Sequence, residues 1–285
     1  MDVSERIRVY SIERPFTPIS LLLVSEGFWL EICRKLETVI SKRKKMIKEF
    51  IIRSWLFRFY LFLVRHFTTR KRAIDELLWT MKLHQRIKSS ASTSNLILTS
   101  GGWAVGPSGL CMVFDAIKLV SEPKVLEFGL GESTKLISRL NTHKHTIIEH
   151  NLEWIELWTQ SLIQPLDSKK TEIRNFPIVA SPKLSQYNLS PDDLALDYNI
   201  FIVDGPFGSK GFSRRNILDI IPAWKPDKEF VIVMDDIHRI GELQTYVAIK
   251  KRLSKKKISF TSKIFSDQKQ VGIICSAHFW SLISI

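Results

Sequence analysis

The stretch VLEFGLGEST at residues 125–134 combines an apolar run with a glycine turn and the start of a helix. Glycine at positions 129 and 131 allows the backbone to turn sharply and allows a ligand to approach it closely. The helix that follows would point its free N–H groups at that ligand. We therefore expect a ligand site where the strand at residues 124–128 ends.

The next strand, expected at residues 145–149, ends in Glu149, twenty residues after Gly129. An acid at that place can accept hydrogen bonds from both ribose hydroxyls of an adenosine cofactor. A dinucleotide fingerprint would have its third glycine where Thr134 stands, and Glu127 would bring negative charge near a pyrophosphate. A cationic amino-acid end suits Glu127 better, and Ser133 and Thr134 can hydrogen-bond its carboxylate. The pattern favours S-adenosylmethionine over NAD.

Further short apolar runs alternate with helical stretches along the chain. Strands are expected at residues 199–204 and 230–235, in addition to the two above. This alternation predicts an α/β fold with a mostly parallel sheet that is covered by helices on both faces. Residues 257–265 and 270–276 flank a short connection, which predicts an antiparallel hairpin at the C-terminus.

The composition is that of a folded globular protein, but the charge is unevenly distributed. The 285 residues carry a net charge of +13, and residues 1–95 hold nineteen basic and nine acidic side chains. A polar tract, KSSASTSN at residues 88–95, separates this basic part from the strand pattern. We expect a basic helical region at residues 1–95 and an α/β domain at residues 96–285.

Residues 50–67 predict an amphipathic helix whose arginines lie on one side. These charges exclude a membrane-spanning helix. The apolar side could pack on the rest of the protein or on a second copy in a homo-oligomer, and the helix could also lie on an anionic membrane or contact nucleic acid. The chain shows no export signal, and its three cysteines are far apart. We expect a cytoplasmic protein, with peripheral membrane contact as an alternative.

The E-x-G-x-G turn at residues 127–131 resembles the first motif of the class I S-adenosylmethionine-dependent methyltransferases. Residues 147–150 (IIEH) resemble the second motif, residues 201–206 (FIVDGP) the fourth, and residues 231–236 (VIVMDD) the fifth strand. The resemblance runs from about residue 101 to the C-terminus and implies a Rossmann-like, seven-stranded sheet with a reversed last strand. It offers no counterpart at residues 176–187 for an acid near adenine. The cofactor-binding residues that it implies are Glu127, Gly129, Gly131, Ser133, Thr134, Glu149, His150 and Asp204.

Carboxylates follow two of the predicted central strands, Asp204 after one and Asp235 and Asp236 after the other. The carboxyl ends of such strands lie at one edge of a sheet, so these side chains are expected to meet near the cofactor. A Mg²⁺ or Mn²⁺ ion held by the three would lower the pKa of an acceptor hydroxyl. The placement is similar to that in metal-dependent catechol-type O-methyltransferases, although those have Asn where this chain has Asp236. Metal-dependent and metal-free catalysis both stay open.

Further candidates surround this cluster. His238 and Arg239 could act as catalytic base and substrate clamp, or could simply start a helix. Lys210, with Arg214 and Arg215, could bind an acidic sugar or phosphate, or form a solvated loop. Trp103, in the stretch GGWAVGP at residues 101–107, could stack on a sugar beneath a lid or pack in the core.

The acceptor is expected to be a hydroxyl. The sequence DGPF at residues 204–207 lacks the pattern of amino-methylating enzymes, and no cysteine stands there for cytosine methylation. It looks closer to methyltransferases that act on sugar hydroxyls, such as those of plant xylan and bacterial surface glycans. The sequence predicts an O-methyltransferase acting on a saccharide, and the distribution of charge argues against nucleic acid as a partner. The alternatives are a small-molecule, catechol-type enzyme, an RNA ribose methyltransferase, and an inactive cofactor-binding scaffold at a membrane.

Overall fold

The computed structural model describes residues 55–98, 105–162, 164–194, 197–267 and 269–284. The chain divides into two compact units, Met1–Arg65 and His66–Ile285, and the sheet lies in the second. The helices are α1 (Trp55–Ser89), α2 (Pro107–Leu119), α3 (Glu132–Ser138), α4 (Leu152–Gln160), α5 (Asn216–Ile220) and α6 (Ile240–Lys255), with 3-10 turns at Pro191–Asp193, Ile221–Ala223 and Ala277–Ile283.

Seven strands form one sheet in the order β3-β2-β1-β6-β8-β10-β9, and three short strands form a second sheet in the order β4-β5-β7. In the large sheet, β10 runs antiparallel to both of its neighbours, and the other pairs are parallel. The strands are β1 (Lys124–Phe128), β2 (Lys144–Glu149), β3 (Thr171–Asn175), β4 (Ile178–Ser181), β5 (Leu184–Tyr187), β6 (Ile200–Val203), β7 (Phe212–Ser213), β8 (Val231–Met234), β9 (Phe260–Ser266) and β10 (Gln270–Ser276).

This arrangement confirms the predicted Rossmann-like fold, a mostly parallel seven-stranded sheet with an antiparallel hairpin at its C-terminal end. The chain passes from β1 to β2 and β3 on one side, and β6 returns to pair with the other side of β1. The strand order therefore reverses between β1 and β6, and ligands of open α/β sheets bind at such a crevice. The glycine turn after residue 128, where we expect a ligand, lies at this crevice.

The predicted strand at residues 257–265 begins later, at Phe260, because helix α6 ends in a Schellman motif. Lys257 adopts a φ of 57°. Its N–H bonds the carbonyl of Ser254 and the N–H of Ile258 bonds that of Leu253, both at 3.0 Å. These bonds use residues 256–258 to close the helix, so the strand can begin only after them.

Strand β3 and the small three-stranded sheet were absent from the sequence expectations. Strand β3 lies at the edge of the large sheet and has the sequence TEIRN, whose side chains are half-buried or exposed. Its burial comes from pairing with β2 rather than from an apolar run. A pattern search for apolar strands cannot detect such an element.

The sheet is packed on both faces. Side chains alternate along β1, so that Val125 belongs to one apolar cluster and Leu126 and Phe128 to the other. The first cluster includes α2 and α3, and the second includes α5 and α6. Glu127 shares the face of Val125, and its side chain is therefore buried toward α3 rather than toward α6.

Part of the N-terminal region can be compared with its prediction. Residues 55–67 of the predicted helix at 50–67 are helical, within α1, whereas residues 50–54 lie outside the described residues. Helix α1 continues to Ser89, and its side chains Trp79, Leu83 and Ile87 pack into the first apolar cluster. The tract at residues 90–95 forms a turn after it. No helix in the described part of the chain is long and apolar enough to cross a membrane.

Candidate active site at the carboxyl edge of the sheet

The glycine turn after β1 is closed on one side and open on the other. Gly129 has a φ of +100°, and a Cβ on it would lie 3.0 Å from the backbone nitrogen of Gly205, so this position requires glycine. At Gly131, which precedes α3, no atom of the described residues other than its neighbours in the chain lies within 4 Å of the position that a Cβ would take. The turn therefore packs against the segment after β6 and leaves its other side free for a ligand.

Glu149 ends β2 beside this turn and binds its backbone. Its Oε2 accepts a hydrogen bond from the N–H of Leu130 at 3.1 Å, and its Oε1 accepts from the N–H groups of His150 and Asn151 at 2.7 and 3.0 Å. The imidazole Nδ1 of His150 also lies 2.7 Å from Oε1. Because Oε2 accepts only one of these bonds, it has capacity left for a ligand hydroxyl.

Glu127 is fully buried, and its oxygens are satisfied by neighbouring side chains. The hydroxyl of Ser133 donates to its Oε1, and the hydroxyl of Thr134 donates to its Oε2 at 2.9 Å. The Nε2 of His145 lies 2.8 Å from the same Oε2. In this structure Glu127 holds the start of α3, and Ser133 and Thr134 bind it rather than facing the crevice. His145 was not among the expected site residues.

Tyr187, at the end of β5, adds a hydroxyl that the sequence reasoning missed. Its side chain is buried, and its hydroxyl has no hydrogen-bond partner among the described residues. A Cβ on Gly205 would collide with that hydroxyl, which therefore lies against the crevice between β1 and β6. Burial, followed by the charge of Glu149, raises the pKa of Tyr187 well above its ordinary value. Tyr187 was not predicted because the small sheet that contains it was not predicted.

Three carboxylates meet where β6 and β8 end. Asp204, Asp235 and Asp236 each place one oxygen within 4.8 Å of the others. The side chain of Asp204 is 17% exposed, whereas the other two are almost fully buried. Asp236 has a φ of 60°, a left-handed conformation that Asp tolerates better than most residues. The sequence expectation that these side chains converge is thus met in the geometry.

Cations of the protein surround this cluster, and chief among them is Arg214. Its Nη1 lies 3.2 Å from Oδ1 of Asp204, and its Nη2 donates to Oδ2 of Asp236 at 3.0 Å. Lys269 Nζ lies 3.2 Å from Oδ2 of Asp235 and 3.6 Å from Oδ1 of Asp236. A fourth carboxylate, Glu242, is buried 3.8 Å from Arg214 Nε. Lys269 and Glu242 were not foreseen, because neither belongs to a recognisable motif.

The charges in this cluster shift each other's pKa. Burial and the neighbouring Asp235 raise the pKa of Asp204 well above its ordinary value, and burial and Asp236 raise that of Asp235. Burial alone would lower the pKa of the Arg214 guanidinium, but the surrounding carboxylates outweigh burial and raise it. Arg214 is therefore charged, while Asp204 holds a proton more readily than an ordinary aspartate.

The remaining candidates are spread around this edge. Arg239, before α6, contacts Asp236 Oδ2 through Nη1 at 3.0 Å and keeps 40% of its side chain exposed. His238 is exposed on the same turn and, in the described structure, makes no hydrogen bond or ion pair with the carboxylates. Lys210 is exposed, and its backbone N–H bonds the carbonyl of Pro182. Trp103 lies outside the described residues.

A groove of about 800 Å³ opens between α5 and α6. Arg215, the next residue after Arg214, lines this groove. Phe212 contributes an aromatic ring that is 41% exposed. The groove is lined by the cations Arg215, Lys251, Arg252, Lys255 and Lys256 and by Phe212, Leu218, Ile221, Pro222 and Ala248.

Comparisons with known proteins find matches to this chain among solved structures. No protein-family model and no curated protein matches it. Among solved structures, it is similar to a Staphylococcus aureus protein provisionally assigned as a caffeoyl-CoA O-methyltransferase. The two share 13% sequence identity with a TM-score of 0.40, over 68% of this chain and 92% of that chain.

Proposed function

We propose that this protein is an S-adenosylmethionine-dependent methyltransferase that transfers a methyl group to a hydroxyl. The observation that carries the proposal is the glycine turn at the crevice, where Gly131 faces open space beside the carboxylate of Glu149. A ligand with a ribose can place its hydroxyls at Glu149 while its other end follows the N–H groups that start α3. Asp204, Asp235 and Asp236, which follow β6 and β8, lie farther along the same edge of the sheet.

The side chains fit such a cofactor. Glu149 Oε2 can accept one ribose hydroxyl, and the hydroxyl of Tyr187 is a buried donor that lacks a partner among the described residues. The ring of His150 lies beside Tyr187 with 6.2 Å between ring centroids, and it borders the same part of the crevice. When bound, S-adenosylmethionine supplies an electrophilic methyl group. Glu127, Ser133 and Thr134 would support the turn from behind.

The chain's own contribution to the reaction is to position the acceptor and take its proton. Asp204 is the most exposed of the three clustered aspartates, and Arg214 holds its Oδ1 in place. S-adenosylmethionine held by Glu149 and the glycine turn would supply the methyl group to the acceptor oxygen, and its sulfur would keep the electron pair of the bond that breaks. The hydroxyl proton passes to Asp204, whose raised pKa makes it a stronger base than an ordinary aspartate.

The acceptor that we propose is a saccharide with acidic groups. The cations of the groove beside Arg215 can bind the acidic groups of such an acceptor, and the exposed ring of Phe212 can stack on a sugar. Lys210 and Arg239 would contact the same acceptor near the carboxylates. Transfer of a radioactive methyl group to oligogalacturonate but not to neutral dextran is the expected result. If catechol or an RNA oligomer is methylated in preference to the saccharide, the proposed acceptor is wrong and that compound represents the acceptor class.

Calorimetric titration of the full chain with S-adenosylhomocysteine tests the cofactor proposal. We expect one site with micromolar affinity, and at least about tenfold weaker binding for Gly131→Val, because the valine side chain fills the open side of the turn. Ser138→Val, at the far end of α3, is a matched control that should bind normally. Absence of binding by the wild-type protein would overturn the proposal, and binding without any methyl transfer would favour an inactive scaffold.

We also propose that helix α1 contacts an anionic membrane. Its side chains Ile74, Leu77, Leu78 and Met81 have helical spacing and are 50–61% exposed, on the opposite side from those packed in the core. The neighbouring Lys71 and Arg72 are exposed cations that can meet anionic headgroups.

Sedimentation with phosphatidylserine vesicles tests this contact. The double variant Leu77→Glu/Met81→Glu should lose binding, whereas Ile97→Glu, which replaces an exposed apolar side chain elsewhere, should retain it. Equal sedimentation of all three proteins would exclude α1 as the membrane contact. In that case a second copy of the chain becomes the alternative partner.

A further inference from the structure

The cluster of Asp204, Asp235 and Asp236 has the composition of a divalent-metal site, but each of its three carboxylates already contacts a cation of the protein. We propose that Arg214, with Arg239 and Lys269, supplies the positive charge that a Mg²⁺ or Mn²⁺ ion would supply there, and that the cluster functions without a metal. The part of this inference that concerns the reaction rests on the proposed function. The part that concerns metal binding does not.

The guanidinium of Arg214 is held in place by more than the carboxylates. Its Nε donates to the carbonyl of Pro206 at 3.1 Å, and its Nη1 donates to the carbonyls of Asp235 at 3.2 Å and Val203 at 3.5 Å. Its side chain is only 4% exposed, and its backbone adopts a φ of 56°. The guanidinium cannot move away for an incoming ion without losing these buried carbonyl bonds.

The position of the guanidinium conflicts with that of a metal. Magnesium lies about 2.0–2.1 Å from its carboxylate ligands. Arg214 contacts Asp204 Oδ1 and Asp236 Oδ2 at 3.2 and 3.0 Å, so an ion sharing those oxygens would lie next to the guanidinium. In a buried cluster, where water screens little, the repulsion between these charges is large.

Two carboxylate oxygens, Asp235 Oδ1 and Asp236 Oδ1, have no hydrogen-bond partner among the described residues. They do not restore the metal site, because both are inaccessible to solvent and Mg²⁺ keeps several water ligands. Lys269 Nζ also lies 3.6 Å from Asp236 Oδ1. The donors that remain therefore do not fit a hydrated divalent ion.

The charge balance favours a singly charged partner instead. Four buried or half-buried carboxylates, including Glu242, face the three cations Arg214, Arg239 and Lys269. When all four carboxylates are ionised, one negative charge is left over, which matches the single positive charge of a sulfonium group. A divalent ion would leave the cluster with a net positive charge next to that group.

Manganese alone, titrated into the chelator-treated full chain and followed by electron paramagnetic resonance, tests the inference. We expect the wild-type protein to show no site with a dissociation constant below about 0.1 mM. Arg214→Met should gain one Mn²⁺ site, and Arg214→Met/Asp235→Asn should lose it again. Arg86→Met is the matched control, because it frees the single carboxylate of Asp115 and should gain no site.

A stoichiometric Mn²⁺ site in the wild-type protein that Asp235→Asn removes would overturn the inference. So would folded Arg214→Met that gains no site. If Arg214→Met does not fold, Lys269→Gln, at a partly exposed position, replaces it and should gain a weaker site. Methyl transfer should proceed equally with and without chelator. If S-adenosylhomocysteine does not bind at all, the proposed function fails while the Mn²⁺ result still decides the metal question.

Discussion

Glu127 and Glu149, on the β1–β2 side of the crevice, accept hydrogen bonds mainly from hydroxyls and backbone N–H groups. Asp204, Asp235 and Asp236, on the β6–β8 side, are instead neutralised by arginine and lysine side chains. The donors to Glu127 and Glu149 stand mostly within a few residues of the turn or the strand end. The cations reach their partners from β7, from the start of α6 and from the β9–β10 connection.

The difference shows how one sheet edge can provide two kinds of environment. Hydroxyls and backbone N–H groups near the turn hold Glu127 and Glu149 without adding a positive charge, and this cradle suits the binding of a ligand. Charges brought together from distant elements make a cluster whose balance can be disturbed by a single substitution. Substitutions on the two sides should therefore have different costs and even different signs.

The largest effect is expected for Arg214→Met. This change leaves several buried carboxylates without their main cation, which should lower the free energy of unfolding by about 3–5 kcal/mol. The matched control Arg86→Met breaks a part-buried pair with Asp115 and should cost about 1 kcal/mol. Urea denaturation measures both. Equal losses would mean that the β6–β8 cluster is no more dependent on its cation than an ordinary ion pair.

The glycine turn should separate folding from binding. Gly129→Ala places a Cβ on a residue with φ of +100° against Gly205, and should cost about 1–3 kcal/mol. Gly131→Ala enters open space and should cost less than about 1 kcal/mol. Thermal unfolding and calorimetry with S-adenosylhomocysteine distinguish the two. Similar destabilisation by both substitutions would contradict the inference that Gly131 lies on the open side of the turn.

Glu149→Gln tests the cradle itself. The amide keeps the shape of the carboxylate but loses the charge that three backbone N–H groups bind. We expect a loss of about 1–2 kcal/mol in unfolding free energy, together with weaker S-adenosylhomocysteine binding. Unchanged stability in urea would show that the turn does not depend on this carboxylate.

The smallest change, and the one of opposite sign, is expected for Asp204→Asn. Because the pKa of Asp204 is raised in the folded state, this carboxyl favours folding below its unfolded pKa, and that contribution disappears as pH rises through the folded value. At neutral pH the variant should therefore be more stable than the wild type, by about 1 kcal/mol. Methyl transfer should be lost.

Urea denaturation across pH checks the sign of this effect. The advantage of Asp204→Asn should shrink as pH falls through the raised pKa of the folded protein, and it should be gone near about pH 4, where the carboxyl of the unfolded chain also takes up its proton. If the variant is less stable than the wild type at pH 7, the prediction is wrong. The ion pair between Asp204 and Arg214 would then stabilise the fold by more than repulsion among the clustered carboxylates destabilises it.

Strands with continuous apolar runs were predictable, and so was the turn. Strands β1 and β10 have the predicted limits, and β2, β6 and β8 differ by one or two residues. Strand β3 was not predictable, since its five residues TEIRN become a strand only by pairing with β2. The convergence of Asp204 with Asp235 and Asp236 followed from their positions after strands, because parallel neighbours end at one edge.

The sequence by itself determined the periodicities, and these set the α/β sheet, the glycine turn and the edge at which polar side chains gather. Only the tertiary structure decided what those side chains contact. It turned Glu127 toward Ser133 and His145, placed Tyr187 against Gly205, and set Arg214 and Lys269 among the aspartates. The physical reason is range. Strand and turn preferences act over a few residues, whereas the pairing of buried charges depends on elements that are distant in the chain and meet only in the folded protein.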